Sequence, residues 1–212
     1  MRQVILLVSG GTRWTEGART HPNLGSLIVP ASGNRLPLEG VEWAADNGAF
    51  KAFDEKRYLV MLKRISGHPG CRFVTAPDVV ADAEATLSLL EKWGPIIREE
   101  YGLPVALVLQ NELTVDDVPW DRIDATFIGG TTAYKLGPDA ARITAEANRR
   151  GLWTHMGRVN TFRRIAYAMA IGCKSVDGTK YSRWAKTYTA DALAMISAGV
   201  RQQPLTLVEG HR

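Results

Sequence analysis

Residues 105–130 read VALVLQNELTVDDVPWDRIDATFIGG. Two short apolar runs, Val105–Leu109 and Ala125–Ile128, each stop at a residue suited to chemistry or close approach: Gln110 after the first, Gly129-Gly130 after the second. Neither run alternates with polar residues. Unbroken runs of this length describe strands covered on both faces, which is the condition of a parallel sheet flanked by helices.

The same unit recurs outward in both directions. Toward the amino terminus lie Val4–Val8, Leu27–Val29, Val41–Ala45 and Arg72–Ala76; toward the carboxyl terminus lie Leu152–Thr154 and Lys174–Val176. Helix-period segments separate them. Asp82 to Glu99 carries Leu87, Leu90 and Trp93 on one side, with Pro95 expected to kink or end it. Asp139 to Arg150 carries Ala140, Ile143 and Ala147. Asn160 or Thr161 caps a helix whose buried stripe is Phe162, Ile165, Ala166, Met169 and Ala170, and Asp191 to Val200 closes the series. Alternating strands and helices make an α/β protein with a parallel sheet. Eight strands favour a compact (β/α)8 TIM-like barrel, with an open doubly wound sheet as the alternative. No GxGxxG or Walker A loop comes after a strand, so the nucleotide-binding folds lose their usual support.

The 212 residues suit one domain, 1–212. Hydrophobic residues at 45% and charged residues at 23% can fill a core and argue against disorder. No apolar run approaches a membrane span. The opening MRQVILLVSGG has an apolar stretch of only Val4 to Val8 and no cleavage site after it. It reads as a first strand, and the chain as cytoplasmic. Cys71 and Cys173 form neither a CxxC pair nor a Cys/His cluster, so no metal site is expected; His68 and Cys71 are two ligands where zinc needs more. A net charge of +4 and a pI near 9.2 are compatible with a polyanionic partner. Gly10 to Pro37, with Arg13, Trp14, Arg19 and His21, reads as a long functional loop around the second strand.

The informative residues stand just past the strand ends. Asp46 comes after Val41–Ala45, Pro77-Asp78 after Arg72–Ala76, and His155-Met156-Gly157 after Leu152–Thr154. Asp177-Gly178 comes after Lys174–Val176. One Asp after a strand is commonly a turn former or helix cap. In a barrel, however, all these positions gather at the carboxyl-terminal face where active sites are built. Two carboxylates divide nucleophilic from acid/base work. A carboxylate with an amide reads the donor edge of a planar heterocycle, and a Gly-Gly backbone approaches such a ring closely. Phe50 and Met156 are placed to cover its faces.

At these residues the sequence resembles the tRNA-guanine transglycosylases. Asp46-Asn47-Gly48-Ala49-Phe50 looks like the family's Asp-Ser-Gly-Gly-Phe, and Asp78 falls where a base-recognition Asp is expected. Gln110 resembles the Gln of a Val-Gln-Gly segment. Gly129-Gly130 matches the Gly-Gly pair, and His155-Met156-Gly157 resembles Leu-Met-Gly. Gly172 to Asp177 matches the segment that ends in the nucleophile, and Arg183 stands where the family contacts phosphate. The resemblance runs in order from residue 41 to 186. It departs at Asn111-Glu112, at His155, and in lacking the zinc-binding subdomain. That last departure makes the chain similar to the compact, phage-type, DpdA-like branch, which inserts 7-deazaguanines such as preQ0 into DNA.

The resemblance implies a glycosyltransferase with Asp177 as nucleophile and Asp46 as acid/base. It further implies a base pocket of Asp78, Gln110, Gly129, Gly130, Phe50 and Met156. Nucleic acid would be held by Arg183, Lys186, Lys180 and Arg158, with Tyr181 and Trp184 interleaved among the cations. DNA is the implied partner, tRNA the alternative, with a free 7-deazaguanine as co-substrate and no cofactor. A binding subunit that kept the pocket without turnover, and a barrel hydrolase using Asp46 and Asp177 on a sugar, are the readings from other classes.

Overall fold

A computed structural model of the chain describes residues 4–9, 17, 20–30, 36–49, 52–183 and 185–199. Eight parallel strands close into a barrel in sequence order: β1 Ile5–Val8, β2 Leu24–Ile28, β3 Trp43–Ala45, β4 Cys71–Thr75, β5 Val105–Leu109, β6 Ala125–Ile128, β7 Trp153–Met156 and β8 Ser175–Asp177. Each strand pairs with the next. The pairing of Ile5 with Ser175 and of Leu7 with Asp177 joins β8 back to β1. The closed barrel expected from the strand count is what forms, and the open sheet is not.

The period of two along each strand sorts the core into two layers. Ile5, Leu7, Leu27, Ala44, Phe73, Ala106, Val108, Ala125 and Phe127 point inward and fill the barrel. Leu6, Ile28, Trp43, Val74, Leu107, Ile128 and Val176 point outward against the helices. At Gly25 of β2, a Cβ would lie 2.7 Å from both Leu7 Cδ2 and the Glu42 carbonyl, so only glycine lets these strands meet.

Caps and apolar stripes account for the helices. α1 (Glu55–Ile65) starts at Asp54, whose carboxylate accepts from the Arg57 N–H, and buries Tyr58, Met61, Leu62 and Ile65. It is not among the helices expected from the sequence. α2 (Ala83–Pro95) starts at Asp82 and buries Leu90 and Trp93. As expected, the α-helix ends at Pro95. The chain goes on as a π-helical segment, Ile96–Glu100, as fits a residue with no N–H to donate. Phe53, Tyr58 and Trp93 meet edge to face, with centroids 5.4–5.5 Å apart, and lock α1 to α2.

α3 (Thr132–Lys135) and α4 (Pro138–Arg149) come after β6. Thr161 caps α5 (Phe162–Ala170), which buries Ile165 and Ala168 while Phe162, in the first turn, stays 42% exposed. α6 (Thr179–Arg183) and α7 (Ala185–Ala198) end the described chain. No helix among the described residues is long and apolar enough to cross a membrane.

Candidate active site

The carboxyl ends of β3 to β8 surround one polar cleft. It is lined by Asp46, Asn47, Asp78, Gln110, Gly129, Gly130, Lys135, Arg158 and Asp177, over an apolar floor of Val108 and Phe127. Its cavity volume is about 70 Å3, where one water needs about 10–15 Å3 on the same measure. That is room for an edge of a heterocycle, with the rest of a ligand above it.

One wall, from β3 to β5, is a network of amides and acids. Asn47 is buried. Its side-chain N–H groups donate to the Ala76 carbonyl at 2.7 Å and to Asp78 Oδ1 at 2.8 Å, and its Oδ1 accepts from the Ala49 N–H. Gln110, also buried, donates from Nε2 to Asp78 Oδ2 at 2.7 Å and accepts the Ala81 N–H at 2.8 Å. Each Asp78 oxygen is thus gripped by one amide and keeps a second acceptor site. Burial raises the Asp78 pKa, against the pull of both amides. Gln110 therefore orients Asp78 as well as lining the cleft.

Asp46 is held differently. The Gly48 N–H reaches its Oδ1 at 3.2 Å. Its pKa rises to about 6, first through desolvation and then through the negative charges of Asp177 and Asp78.

The Gly pair forms the next side. A Cβ on Gly129 would lie 2.6 Å from Val108 Cγ1 and 3.1 Å from Gln110 Nε2, and one on Gly130, at φ +70°, would lie 2.7 Å from Asn111 Oδ1. Bare backbone is required at both. One helical turn on, Lys135 is buried, and its ammonium donates to the Gly157 carbonyl at 2.9 Å. Desolvation lowers its pKa to about 8, while Asp177 and Asp46 push the other way.

The far wall is β7 and β8. Asp177 Oδ1 accepts from the Arg158 backbone N–H at 3.0 Å and lies 3.1 Å from His155 Nε2. His155 is fully buried, with ring centroids 4.6 Å from Phe127 and 5.1 Å from Phe73. Burial lowers its pKa.

The structure brings together Asp46, Asp78, Gln110, Gly129, Gly130, Arg158 and Asp177 from the sequence reading. Met156 is a correction. β7 runs two residues further than the apolar run suggests, and within a strand alternate side chains face opposite ways. His155 therefore points into the barrel, and Met156 points out into the layer beneath the helices, away from the cleft. Phe50 and Trp184 lie outside the described residues, as do Arg13, Trp14 and Arg19 of the long loop. Arg183 falls in α6 and Lys186 in α7. Lys180 sits with its ammonium 3.6 Å from the centroid of Tyr188, and Tyr181 is buried in the core rather than presented for stacking.

Sequence reasoning misses Asn47, Lys135 and the inward role of His155. For Asn47 and His155 the available signal is their place within the strand-end motifs. For Lys135 there is none, since only the fold buries it. Among the described residues no group of three His, Cys, Asp or Glu side chains is arranged to hold a metal ion. Comparison with protein-family models and with curated proteins finds no match to this chain.

Proposed function

We propose that this chain is a guanine transglycosylase that replaces guanine in DNA with a 7-deazaguanine such as preQ0. The observation that carries this is the division of labour among three carboxylates in one cleft. Asp177 is met at one oxygen by the Arg158 backbone N–H and the His155 ring, Asp78 is oriented by two amides, and Asp46 is poised to titrate near pH 6. Carboxylates pushed into different states by their surroundings are how one site supports both a nucleophile and an acid.

In this reading an oxygen of Asp177 bonds to C1′ as the C1′–N9 bond breaks. The bonding pair leaves on guanine, and the protonated Asp46 delivers a proton to the departing base. Asp46, now a carboxylate, takes the N9 proton of the incoming base. N9 then bonds to C1′ and Asp177 is released. The open acceptor sites of Asp78 suit the N–H groups on the guanine edge. Flipping the target nucleotide out of a duplex costs a few kcal/mol, offset by that edge recognition and by the Arg158 cation at the rim.

The test is to incubate the protein with guanine-containing DNA, with tRNA, and with preQ0, and to look for a denaturation-resistant protein–nucleic-acid adduct. The expected result is an adduct with DNA that is abolished in Asp177→Ala. Base exchange by Asp177→Ala at near the wild-type rate overturns the mechanism. An adduct with tRNA alone moves the substrate to RNA. Release of free base or sugar without incorporation makes the protein a hydrolase.

A further inference from the structure

Beneath Asp177 a line of polar groups runs down the inside of the barrel. Trp153 Nε1 lies 2.8 Å from Ser175 Oγ, Ser175 Oγ lies 2.8 Å from His155 Nδ1, and His155 Nε2 lies 3.1 Å from Asp177 Oδ1. Strand register builds it. His155 of β7 pairs directly with Ser175 of β8, so 153 and 155 on one strand and 175 and 177 on the other project inward side by side.

We propose that His155 is a positioning residue for Asp177: its neutral Nε2–H tautomer holds Oδ1 and leaves Oδ2 as the oxygen that attacks. This rests on the transglycosylase reading for the attack, but the tautomer stands on hydrogen-bond chemistry alone. An indole N–H only donates, so Ser175 Oγ accepts from Trp153. Ser175 is fully buried, and the one acceptor its own proton reaches among the described residues is His155 Nδ1. A buried hydroxyl seldom goes unpaired. Nδ1 is therefore bare, the ring proton is on Nε2, and Nε2 donates to Asp177.

Protonating Nδ1 would leave the Ser175 hydroxyl facing a donor. It would also place a charge between two phenyl rings, away from water. The charged groups that act on the imidazole are Asp177, which favours its protonation, and Lys135, which opposes it. The far end of the line is closed by Arg72, whose guanidinium lies 5.0 Å from the Trp153 ring centroid.

The consequence is specific. A neutral imidazole orients the carboxylate without cancelling its charge, so Asp177 remains a nucleophile. Oδ1 already accepts two N–H groups, from His155 and Arg158, and no hydrogen bond reaches Oδ2 among the described residues. Oδ2 forms the bond to C1′. When Asp177 leaves in the second step, charge returning to Oδ1 meets two donors already in place.

The experiment has two arms on the full chain. In the first, 15N-imidazole NMR, with His155 assigned by its loss in His155→Gln, is expected to show Nε2 protonated and Nδ1 bare from pH 5 to 8. In Ser175→Ala the Nδ1 tautomer is expected to appear. An Nδ1–H tautomer in the wild-type protein, or an imidazolium titrating in that range, overturns the proposal whatever the protein's activity. In the second arm, base exchange into DNA with preQ0 is measured in His155→Leu and His155→Gln. The expected result is a fall in kcat of about 10- to 100-fold in the leucine variant, the scale of a misplaced reacting group. KM should be little changed, and glutamine, which keeps an N–H for Oδ1, should recover part of the loss. A folded His155→Leu with wild-type kcat overturns the positioning role. Failure of the wild-type protein to form any adduct sinks the transglycosylase reading instead and leaves the NMR arm to decide the tautomer.

Discussion

Two walls of the same cleft hold their acids by opposite means. On the β3–β5 side, Asp78 is gripped by amides from two neighbouring loops, and beside it Asp46 takes hydrogen bonds from the Gly48 N–H and the Thr75 side chain and faces the charges of Asp177 and Asp78. On the β7–β8 side, Asp177 is tied downward, through His155 and Ser175, to the middle of the barrel. The first wall leaves a carboxyl that is easily protonated. The second leaves a carboxylate with one oxygen fixed. The difference shows how closely placed carboxyl groups come to differ: each is tuned by which donors reach it, which charges face it and how much water it has lost.

The sharpest way to break this comparison is Asp46→Asn. On the proposed function, removing this acid/base group is expected to lower base exchange by about 10²- to 10⁴-fold. It should also remove a limb near pH 6, above which departure of guanine would slow as Asp46 loses its proton. Stability moves the other way. An Asp whose folded pKa is raised from about 3.9 to about 6 stabilises the fold fully below pH 3.9, and loses that contribution as pH rises through 6. At about 1.4 kcal/mol per pH unit, and allowing for the water that reaches this half-buried carboxyl, the amide gains about 1–2 kcal/mol at pH 8 and nothing at pH 3. Denaturant unfolding at the two pH values measures it. An unchanged stability at pH 8 would show that Asp46 is not destabilised by its surroundings and that the two walls do not differ as described.

How far the sequence can be read depends on the same walls. β5 and β6 are legible to the residue, because their apolar runs end where their strands end. The end of β7 is not, because its last inward residue is His155, a polar side chain inside the barrel. The rule that a buried strand is an apolar run fails where a strand carries the site. Met156 is misplaced by that rule alone: shifting the strand end changes which face a side chain meets. Asp46, Asp78, Gln110 and Asp177 are legible as strand-end polar residues. Lys135 is not, since a lysine in a four-residue helix reads as a surface cation until Gly157 and Ile128 close over it. α1 carries its signals openly, Asp54 before Glu55 and apolar residues at 58, 61, 62 and 65, yet a reading guided by strands steps past it.

A smaller effect probes the β7 wall through its backbone. A Cβ on Gly157 would lie 2.5 Å from two Phe127 ring atoms and 3.3 Å from Asp177 Oδ1. Phe127 packs on His155, so the ring has little room to yield. Gly157→Ala is expected to cost about 1–3 kcal/mol, as overpacking does, with a fall of roughly 2–4 °C in Tm per kcal/mol for a domain near this size. Gly151→Ala is the control. It sits at positive φ, +79°, but meets nothing within 4 Å, so it carries only the backbone strain. If Gly151→Ala costs as much as Gly157→Ala, the tight packing around Asp177 is not what the glycine serves.

The smallest expected effect separates the backbone of Arg158 from its side chain. Its N–H holds Asp177, while its exposed guanidinium stands at the rim of the cleft. Arg158→Ala keeps the N–H. On the proposed function it leaves kcat within about twofold, because the carboxylate stays oriented, and it weakens DNA binding by losing one phosphate contact. The slope of log affinity against log salt should then fall by about one, read by fluorescence anisotropy across a salt series. A large loss of kcat in this variant would mean that the side chain, and not the amide, serves Asp177. The β7–β8 wall would then depend on a rim cation as well as on the buried line through His155.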